Sequence, residues 1–292
     1  MTNAIASDPP VGGVAAEVAP RRSGPADEFF RGVTVVAYRE ILRLVHDKSR
    51  IVSSLAMPLM FFVMFGAGFG RTIGGMAPGV NFIQFLFPGI IAQTVFMTSI
   101  FSGMSVVWDR EFGFLRELLV APISRTGIVI GKVVGGAVLA LFQAAIVLVL
   151  APFLKVRLDL QILATAIPLL VLFSFSLSSL GILMASRMRS QQGFQMMMQL
   201  LIMPMIFLSG AFFPLNNVPD WLSTVSKLNP LTYGVDAIRH AFLDHAGMAT
   251  GPTPFSVVLF GHPMTMLQDA AIVAAMGAVL LAAATHSFSR QE

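Results

Sequence analysis

The sequence predicts an all-α integral membrane protein with six transmembrane helices, and two observations support this prediction. The 292 residues are 55% hydrophobic and only 12% charged, with a mean hydropathy of +0.78, whereas an ordinary soluble domain is about a quarter charged. Six stretches of about 20 apolar residues are long enough to cross roughly 30 Å of hydrocarbon as helices. They are continuously apolar, without the alternation of the strands of a membrane β-barrel.

The six predicted spans contain no Asp, Glu, Lys or Arg. This pattern is expected because a charge at the centre of a span costs about 2.5 to 3.5 kcal/mol. We expect the spans at residues 51–70, 82–107, 133–154, 160–186, 196–213 and 270–288.

The distribution of Lys and Arg predicts the orientation of the spans. Fourteen of the 19 fall before the first span, in the second-to-third and fourth-to-fifth loops, or in the C-terminal tail. By the positive-inside rule, both termini of this multi-pass chain are expected in the cytoplasm, with the protein in the plasma or inner membrane. The excess of Lys and Arg on that side is then explained by contact with anionic lipid headgroups. We therefore do not expect nucleic acid as a partner.

The predicted organisation has three parts. Residues 1–26, rich in Pro, Gly and Ala, are expected to form a disordered cytoplasmic tail, and residues 27–50 an amphipathic interfacial helix. Residues 51–292 form the six-helix transmembrane domain. The interfacial helix has an apolar stripe and a separate charged face, and it either anchors the chain to the membrane or also braces a cytosolic partner. The stripe comprises Phe30, Val33, Ala37, Ile41 and Leu44, and the charged face Arg39, Arg43 and Asp47.

Charged residues concentrate between the second and third spans, around a short amphipathic run. The run predicts one helix of roughly ten residues, ended by Pro122, and Ser124 is positioned to cap the next helix. Apolar anchors with charges at their rim fit a groove in another protein, and the alternative is a solvated loop. The anchors are Phe112, Phe114, Leu115, Leu118 and Leu119, and the charges are Arg110, Glu111, Arg116 and Glu117.

Two stretches resemble a known family. The run WDREFGFLRELLVAPISR, followed by GK, resembles the cytoplasmic signature of ABC-2 permeases of ATP-binding-cassette exporters, especially the branch with daunorubicin-type drug exporters. A second stretch, from Leu208 to Leu243, resembles the outer segment of the same family through its FFP, PxW and NPLTY landmarks. Many members have a glutamate three residues after the glycine of the signature, where this chain has Arg116, and Glu117 follows it.

The resemblance implies a permease subunit without catalytic residues that forms a homodimer and pairs with two copies of a separate ATPase. The ATPase would bind ATP and magnesium, and this chain would hold no cofactor or metal. The family's coupling helix corresponds to Glu111 through Leu119, with Arg110 and Gly113 in the same predicted coupling site. The cargo implied is a drug, antibiotic or lipid-like molecule, and a lipid-linked glycan or lipo-oligosaccharide is the alternative.

The residues themselves give two further arguments about energy supply. TGIVIGKV has three residues between its glycines, where a phosphate-binding loop needs four, and Val133 stands where that loop needs Ser or Thr. ATP is therefore expected to be hydrolysed elsewhere. Spans without ionisable residues also argue against the remaining alternative, a proton- or sodium-driven carrier or a channel.

Three further groups of residues are candidates for a role. Gly127, Gly131 and Gly135 form a small-xxx-small ladder that predicts close packing with a neighbouring helix. Asp236, His240 and Asp244 share a helical face, for which we weigh a metal site against a solvated surface and favour the surface. Two short helices broken at Asn229 and Pro230 are expected to form either an outer gate or a plain membrane-facing loop. The gate residues would be Phe213, Pro214, Pro219, Trp221, Asn229, Pro230 and Tyr233.

Overall fold

The computed structural model describes residues 24–46, 48–69, 82–113, 124–215, 218–245, 255–259 and 262–289. Its elements are almost all helical, as predicted, apart from one pair of two-residue antiparallel strands that the sequence did not indicate. The elements, in chain order, are α1 (Pro25–His46), α2 (Lys48–Phe69), α3 (Phe82–Ser102), α4 (Met104–Glu111), α5 (Arg125–Val149), α6 (Leu160–Arg187), α7 (Gln191–Leu208), α8 (Asp220–Lys227), α9 (Pro230–His245), β1 (Val258–Leu259), β2 (His262–Pro263) and α10 (Met266–Ser289).

Within the described residues, four helical stretches are long and apolar enough to cross a membrane. These are Phe82–Glu111, Arg125–Val149, Leu160–Arg187 and Met266–Ser289, and they support a multi-pass membrane protein. Helices α2 and α7 lie at the first and fifth predicted spans but are not among the four, so the count of six stays a prediction. Helix α7 also ends at Leu208 rather than at 213, because a turn begins at Ser209 and Gly210 has a φ of 72°.

The four long helices form the core of the bundle. α3 packs against α5 and α6, and α6 packs along α10. Helix α9 is inserted between α3, α6 and α10, and every residue from 231 to 243 is buried. Helix α1 lies along α5 at the end of the bundle where α3 and α4 finish. The stretch that contains α3 is the most buried of the four, which agrees with its central place.

The crossing of α3 and α6 depends on two glycines. A Cβ atom on Gly103, between α3 and α4, would lie 2.3 Å from the carbonyl oxygen of Gly181 on α6. A Cβ atom on Gly181 would in turn lie 2.4 Å from the carbonyl oxygen of Ile100. Neither distance is possible for a real side chain, so hydrogen at both positions allows the two backbones to touch.

We expect Gly181→Ala to destabilise the bundle by about 1–3 kcal/mol, because the added methyl group forces two backbones apart. Gly66→Ala is the matched control, since its Cβ atom would meet nothing closer than Ile83 at 3.7 Å. Thermal unfolding of the purified proteins in detergent compares them. Equal melting temperatures for the two variants would contradict the proposed contact.

Candidate functional site

Four charged side chains meet where the chain enters the predicted coupling segment. Lys132 of α5 donates to the Oδ2 atom of Asp109 on α4 at 2.6 Å, and the guanidinium of Arg39 on α1 donates to the same oxygen at 2.5 Å. Glu40 lies 3.4 Å from Lys132 and 3.7 Å from Arg39. We call these four residues the Asp109 cluster, and they join three helices that are far apart in sequence.

The Asp109 cluster has two positive and two negative groups, and this balance lets charge exist in the protein interior. The side chains of Lys132 and Asp109 are 0% and 1% exposed. Removing such ions from water is costly unless each is paired and hydrogen-bonded. Ser105 accepts a third hydrogen bond from Lys132 at 3.0 Å, which further satisfies the ammonium group.

The glycine ladder of α5 explains how α1 comes close enough to join the cluster. Cβ atoms on Gly127 and Gly131 would lie 2.9 Å from the carbonyl oxygens of Phe29 and Val33, respectively. A Cβ atom on Gly135 would lie 2.7 Å from the Cβ atom of Glu40. The helix that approaches the ladder closely is thus α1. The sequence predicted a close neighbour here without indicating which one.

This packing corrects the expected arrangement of α1. Val36 and Ala37 are buried in the protein, while Phe30 is 66% exposed. Arg39, which the pattern assigned to a face turned to water, is directed into the Asp109 cluster and is only partly exposed. The buried face of α1 is the one that meets the ladder.

The first residues of the predicted coupling segment contact other helices of the same chain. Arg110 donates to the carbonyl oxygens of Ser186 and Met188, where α6 ends. The carboxylate of Glu111 accepts a hydrogen bond of 3.3 Å from the backbone amide of Gln191, the first residue of α7. Both residues thus position the α6–α7 junction, a role that no local pattern signals.

Phe112 follows on the surface and is 68% exposed, and the φ of Gly113 is 80°, which ends the helical path. The remaining residues of the predicted coupling helix, Phe114, Leu115, Arg116, Glu117, Leu118 and Leu119, lie outside the described residues. The description resumes at Ser124, whose hydroxyl accepts a hydrogen bond of 3.0 Å from the amide of Gly127. The N-cap predicted from the sequence is confirmed.

At the opposite end, α8 and α9 are two helices separated at Asn229 and Pro230, as predicted. Asn229 donates to the carbonyl oxygen of Met205 at 2.6 Å and accepts from the amide of Leu231, so it connects α7 with the start of α9. The hydroxyl of Tyr233 donates to the carbonyl oxygen of Lys227 at 2.6 Å. Among the other predicted gate residues, Phe213 and Pro214 are half-buried, whereas Pro219 and Trp221 are exposed.

The solvated face expected for Asp236 and His240 is wrong, because both side chains are buried in α9. Arg239 between them is also buried; it donates to the carbonyl oxygen of Gly210 at 2.7 Å and lies 4.2 Å from the centre of the Phe85 ring. Of Asp244, only the backbone is described, as part of α9.

The expectation that ionisable residues stay outside the spanning helices is also corrected. Asp109, Lys132 and Asp269 lie within helical stretches long enough to span a membrane, close to their ends, and all three are buried. The sequence assigned them to loops because a hydropathy pattern ends a span at its first charge. The physical reason for their placement is that neighbouring helices, rather than water, surround them.

A cavity of about 320 Å³ lies between α2, α3 and α5. Its wall is mainly apolar, with Met57, Phe61 and Phe101 among its residues, and it includes four polar side chains, which are Gln93, Thr94, Thr98 and Gln143. Thr98 donates a hydrogen bond to the side-chain carbonyl of Gln143. An apolar wall with a few polar groups is typical of a site for an organic ligand.

The geometry agrees with what comparison to known proteins reveals. The family model of the ABC-2 type transporter matches residues 31–243, from α1 to α9. The chain belongs to this family. It is therefore a membrane transport permease, and membership implies an ABC transporter with a separate ATPase subunit.

Curated relatives of this ABC-2 permease agree with the assignment. A Cyanophora paradoxa protein named as a transport permease, ycf38, is 30% identical over 237 residues, which cover 80% of this chain and 81% of that protein. Nodulation protein J of Rhizobium meliloti (strain 1021) is 29% identical over 207 residues, covering 69% and 78%. An Escherichia coli (strain K12) protein named as a multidrug ABC transporter permease, YbhR, is 32% identical over 172 residues, covering 59% and 47%.

We expect Lys132→Met to destabilise the permease by about 3–5 kcal/mol, because it leaves the buried carboxylate of Asp109 without its main partner. Asp109→Leu should cost a similar amount. The double variant should cost clearly less than the sum, since both charges leave the interior together.

Chemical unfolding of the four proteins in detergent measures this cycle. Arg31→Ala is the control, because the pair of Arg31 and Asp27 is 3.9 Å long and more than half exposed, and it should change stability by about 0.5 kcal/mol or less. Simple additivity of Lys132→Met and Asp109→Leu would contradict the buried pair.

Proposed function

We propose that the chain is the membrane half of an exporter that moves a hydrophobic or amphiphilic cargo, such as a drug, an antibiotic or a lipid-like molecule, out of the cell. A separate ATPase, present in two copies, supplies the energy and holds the ATP and magnesium. Its work reaches this chain through residues 111–119. The proposal rests on the contacts that the start of this segment makes with the rest of the bundle.

Three sets of contacts at the start of the segment support the transmission of movement to the bundle. The Asp109 cluster joins α4 to α1 and α5. Arg110 connects α4 to the end of α6, and Glu111 connects it to the beginning of α7. A displacement of residues 111–119 by the ATPase therefore acts on five helices at once. Such a set of packed helices moves as a body rather than bending at one residue.

The cavity between α2, α3 and α5 supports a mostly apolar cargo with a small polar part. Its volume of about 320 Å³ is at the lower end of the sizes of drug-binding sites. Gln93, Thr94, Thr98 and Gln143 place polar groups on a mainly apolar wall. The name of the E. coli relative, which describes a multidrug permease, agrees with this cargo class and with the drug-exporter branch suggested by the sequence.

An ion-driven carrier is disfavoured by family membership rather than by a lack of charged residues. Buried charged residues do occur in helices of spanning length. A lack of charged residues in the spans therefore cannot be used to exclude such a carrier. Membership of the ABC-2 family favours ATP as the energy source instead. The balanced charges of the Asp109 cluster also favour a structural role over ion transport, because each ion already has an opposite partner.

An exposed apolar stripe on α7 supports the pairing of two permease chains. Its residues are Met196, Leu200, Met203 and Phe207, which recur at helical spacing and are all more than half exposed. Little of the rest of the described chain covers α7. We assign this stripe to the homodimer interface, in which two copies pack around the translocation path.

Reversal of charge in the coupling segment tests the proposed route. Arg116→Glu and Glu117→Arg should lower the permease-dependent stimulation of ATP hydrolysis by about five- to a hundred-fold, with unchanged membrane insertion. The assay uses the permease reconstituted in liposomes with its ATPase and a hydrophobic dye. The control is Asp159→Arg, which reverses the charge of an exposed residue directly before α6. Normal stimulation in both coupling variants would refute the route.

The homodimer has its own test, because the chain contains no cysteine. Leu200→Cys on α7 should form a disulfide-linked dimer in oxidised membranes, since two copies of the stripe face each other. Val279→Cys on α10 is the control, as Val279 is similarly exposed, at 68% against 75% for Leu200. Gel electrophoresis without reductant measures the dimer. Equal cross-linking of both variants, or none in Leu200→Cys, would contradict the interface.

A further inference from the structure

Three potential metal ligands converge where α9 meets the first turn of α10. Asp236 and His240 are one turn apart on α9, and Asp269 comes from α10. One donor atom from each of the three side chains lies within 4.8 Å of the other two. All three side chains are buried, and Asp269 has no exposed surface. The sequence paired the first two residues with Asp244 instead, because local spacing cannot reveal a ligand from another helix.

The state of Asp269 is the independent observation that points to a ligand. Among the described residues, no N–H or hydroxyl group donates to either of its carboxylate oxygens. The nearby cation, Arg239, is directed at the carbonyl oxygen of Gly210 and at the Phe85 ring. A buried carboxylate without a donor is costly. Either a proton shared with the carboxyl group of Asp236 or a cation bound between Asp236 and Asp269 removes that cost.

The chemistry of the three donors selects the kind of cation. A proton shared by the two carboxylates would explain why Asp236 and Asp269 lie together. It would not explain why the imidazole of His240 lies close to both of them. Two carboxylates and one imidazole form a ligand set that zinc accepts. Magnesium and calcium, in contrast, prefer oxygen ligands throughout.

Neighbouring groups already orient two of the three ligands. The backbone amide of Val257 donates to the Oδ2 atom of Asp236 at 2.7 Å. The hydroxyl of Ser256 lies 3.1 Å from the Nε2 atom of His240. The contact to Asp236 is of the kind that fixes ligand orientation in metal sites, and the contact to His240 has this effect when the ion binds the other ring nitrogen, Nδ1. We propose that Asp236, His240 and Asp269 together bind one Zn²⁺ ion.

The ion would act as a clamp. It joins α9 to the last long helix and, through Ser256 and Val257, to the segment that precedes the strand pair. The site also lies far from the Asp109 cluster, because Arg239 contacts Phe85 near the start of α3. The α3–α4 path from Phe85 to Asp109 is about 36 Å long at 1.5 Å per residue. The proposal is independent of the cargo and of the ATPase.

Zinc binding by the full chain is the first test. After treatment with a chelator, the purified permease in detergent should rebind about one Zn²⁺ per chain, measured by mass spectrometry of the metal after gel filtration, and its melting temperature should rise. Asp269→Asn should weaken binding at least about tenfold and abolish that rise. His262→Ala, which removes an exposed histidine of the strand pair, should behave as wild type.

The lack of cysteine in the chain permits a second test that identifies a ligand directly. Because a thiolate is also a zinc-type ligand, His240→Cys loaded with Co²⁺ should show a thiolate-to-cobalt charge-transfer band that the wild-type protein lacks. Wild-type protein that rebinds no zinc overturns the proposal. So does zinc binding that is unchanged in Asp269→Asn, or the absence of the charge-transfer band in His240→Cys.

Discussion

The interaction on which the packing of α1, α4 and α5 in this permease depends is the contact between Lys132 and Asp109. An ammonium group in the interior of a helical bundle needs a carboxylate, and that carboxylate comes from α4. The pair fixes the distance between α4 and α5, and the shared oxygen of Asp109 also brings Arg39 of α1 into contact. The glycine ladder then allows the backbone of α1 to lie close enough for both contacts to persist. Packing and charge balance are therefore two parts of one arrangement.

The same arrangement would allow the predicted coupling segment to be short. Arg110 and Glu111 follow directly after Asp109 and bind the α6–α7 junction. Three consecutive residues thus contact different helices, so that little chain is needed between the surface that an ATPase would meet and the bundle. Transmission over a distance requires packed elements with defined contacts rather than a long lever. Phe112, immediately after these residues, is exposed.

The sequence was informative where local chemistry decides the structure. Continuous apolar stretches predicted the long helices, Ser124 predicted a helix start, and Asn229 and Pro230 predicted the break between α8 and α9. The sequence was uninformative where contacts between residues distant in the chain decide the structure. Nothing near Lys132 or Asp269 indicates burial, because a charge next to an apolar stretch has the same local pattern whether water or another helix surrounds it. Likewise, the glycines of α5 predicted a close neighbour, but only the folded chain identifies it as α1.

The enclosed position of α9 has a consequence for how the chain is assembled. This helix has a buried carboxylate, guanidinium and imidazole, so it is too polar to enter lipid by itself. Its acceptable environment consists of α3, α6 and α10, and α10 is synthesised after it. The buried charges of α9 therefore gain their full set of helical neighbours only after α10 has been synthesised.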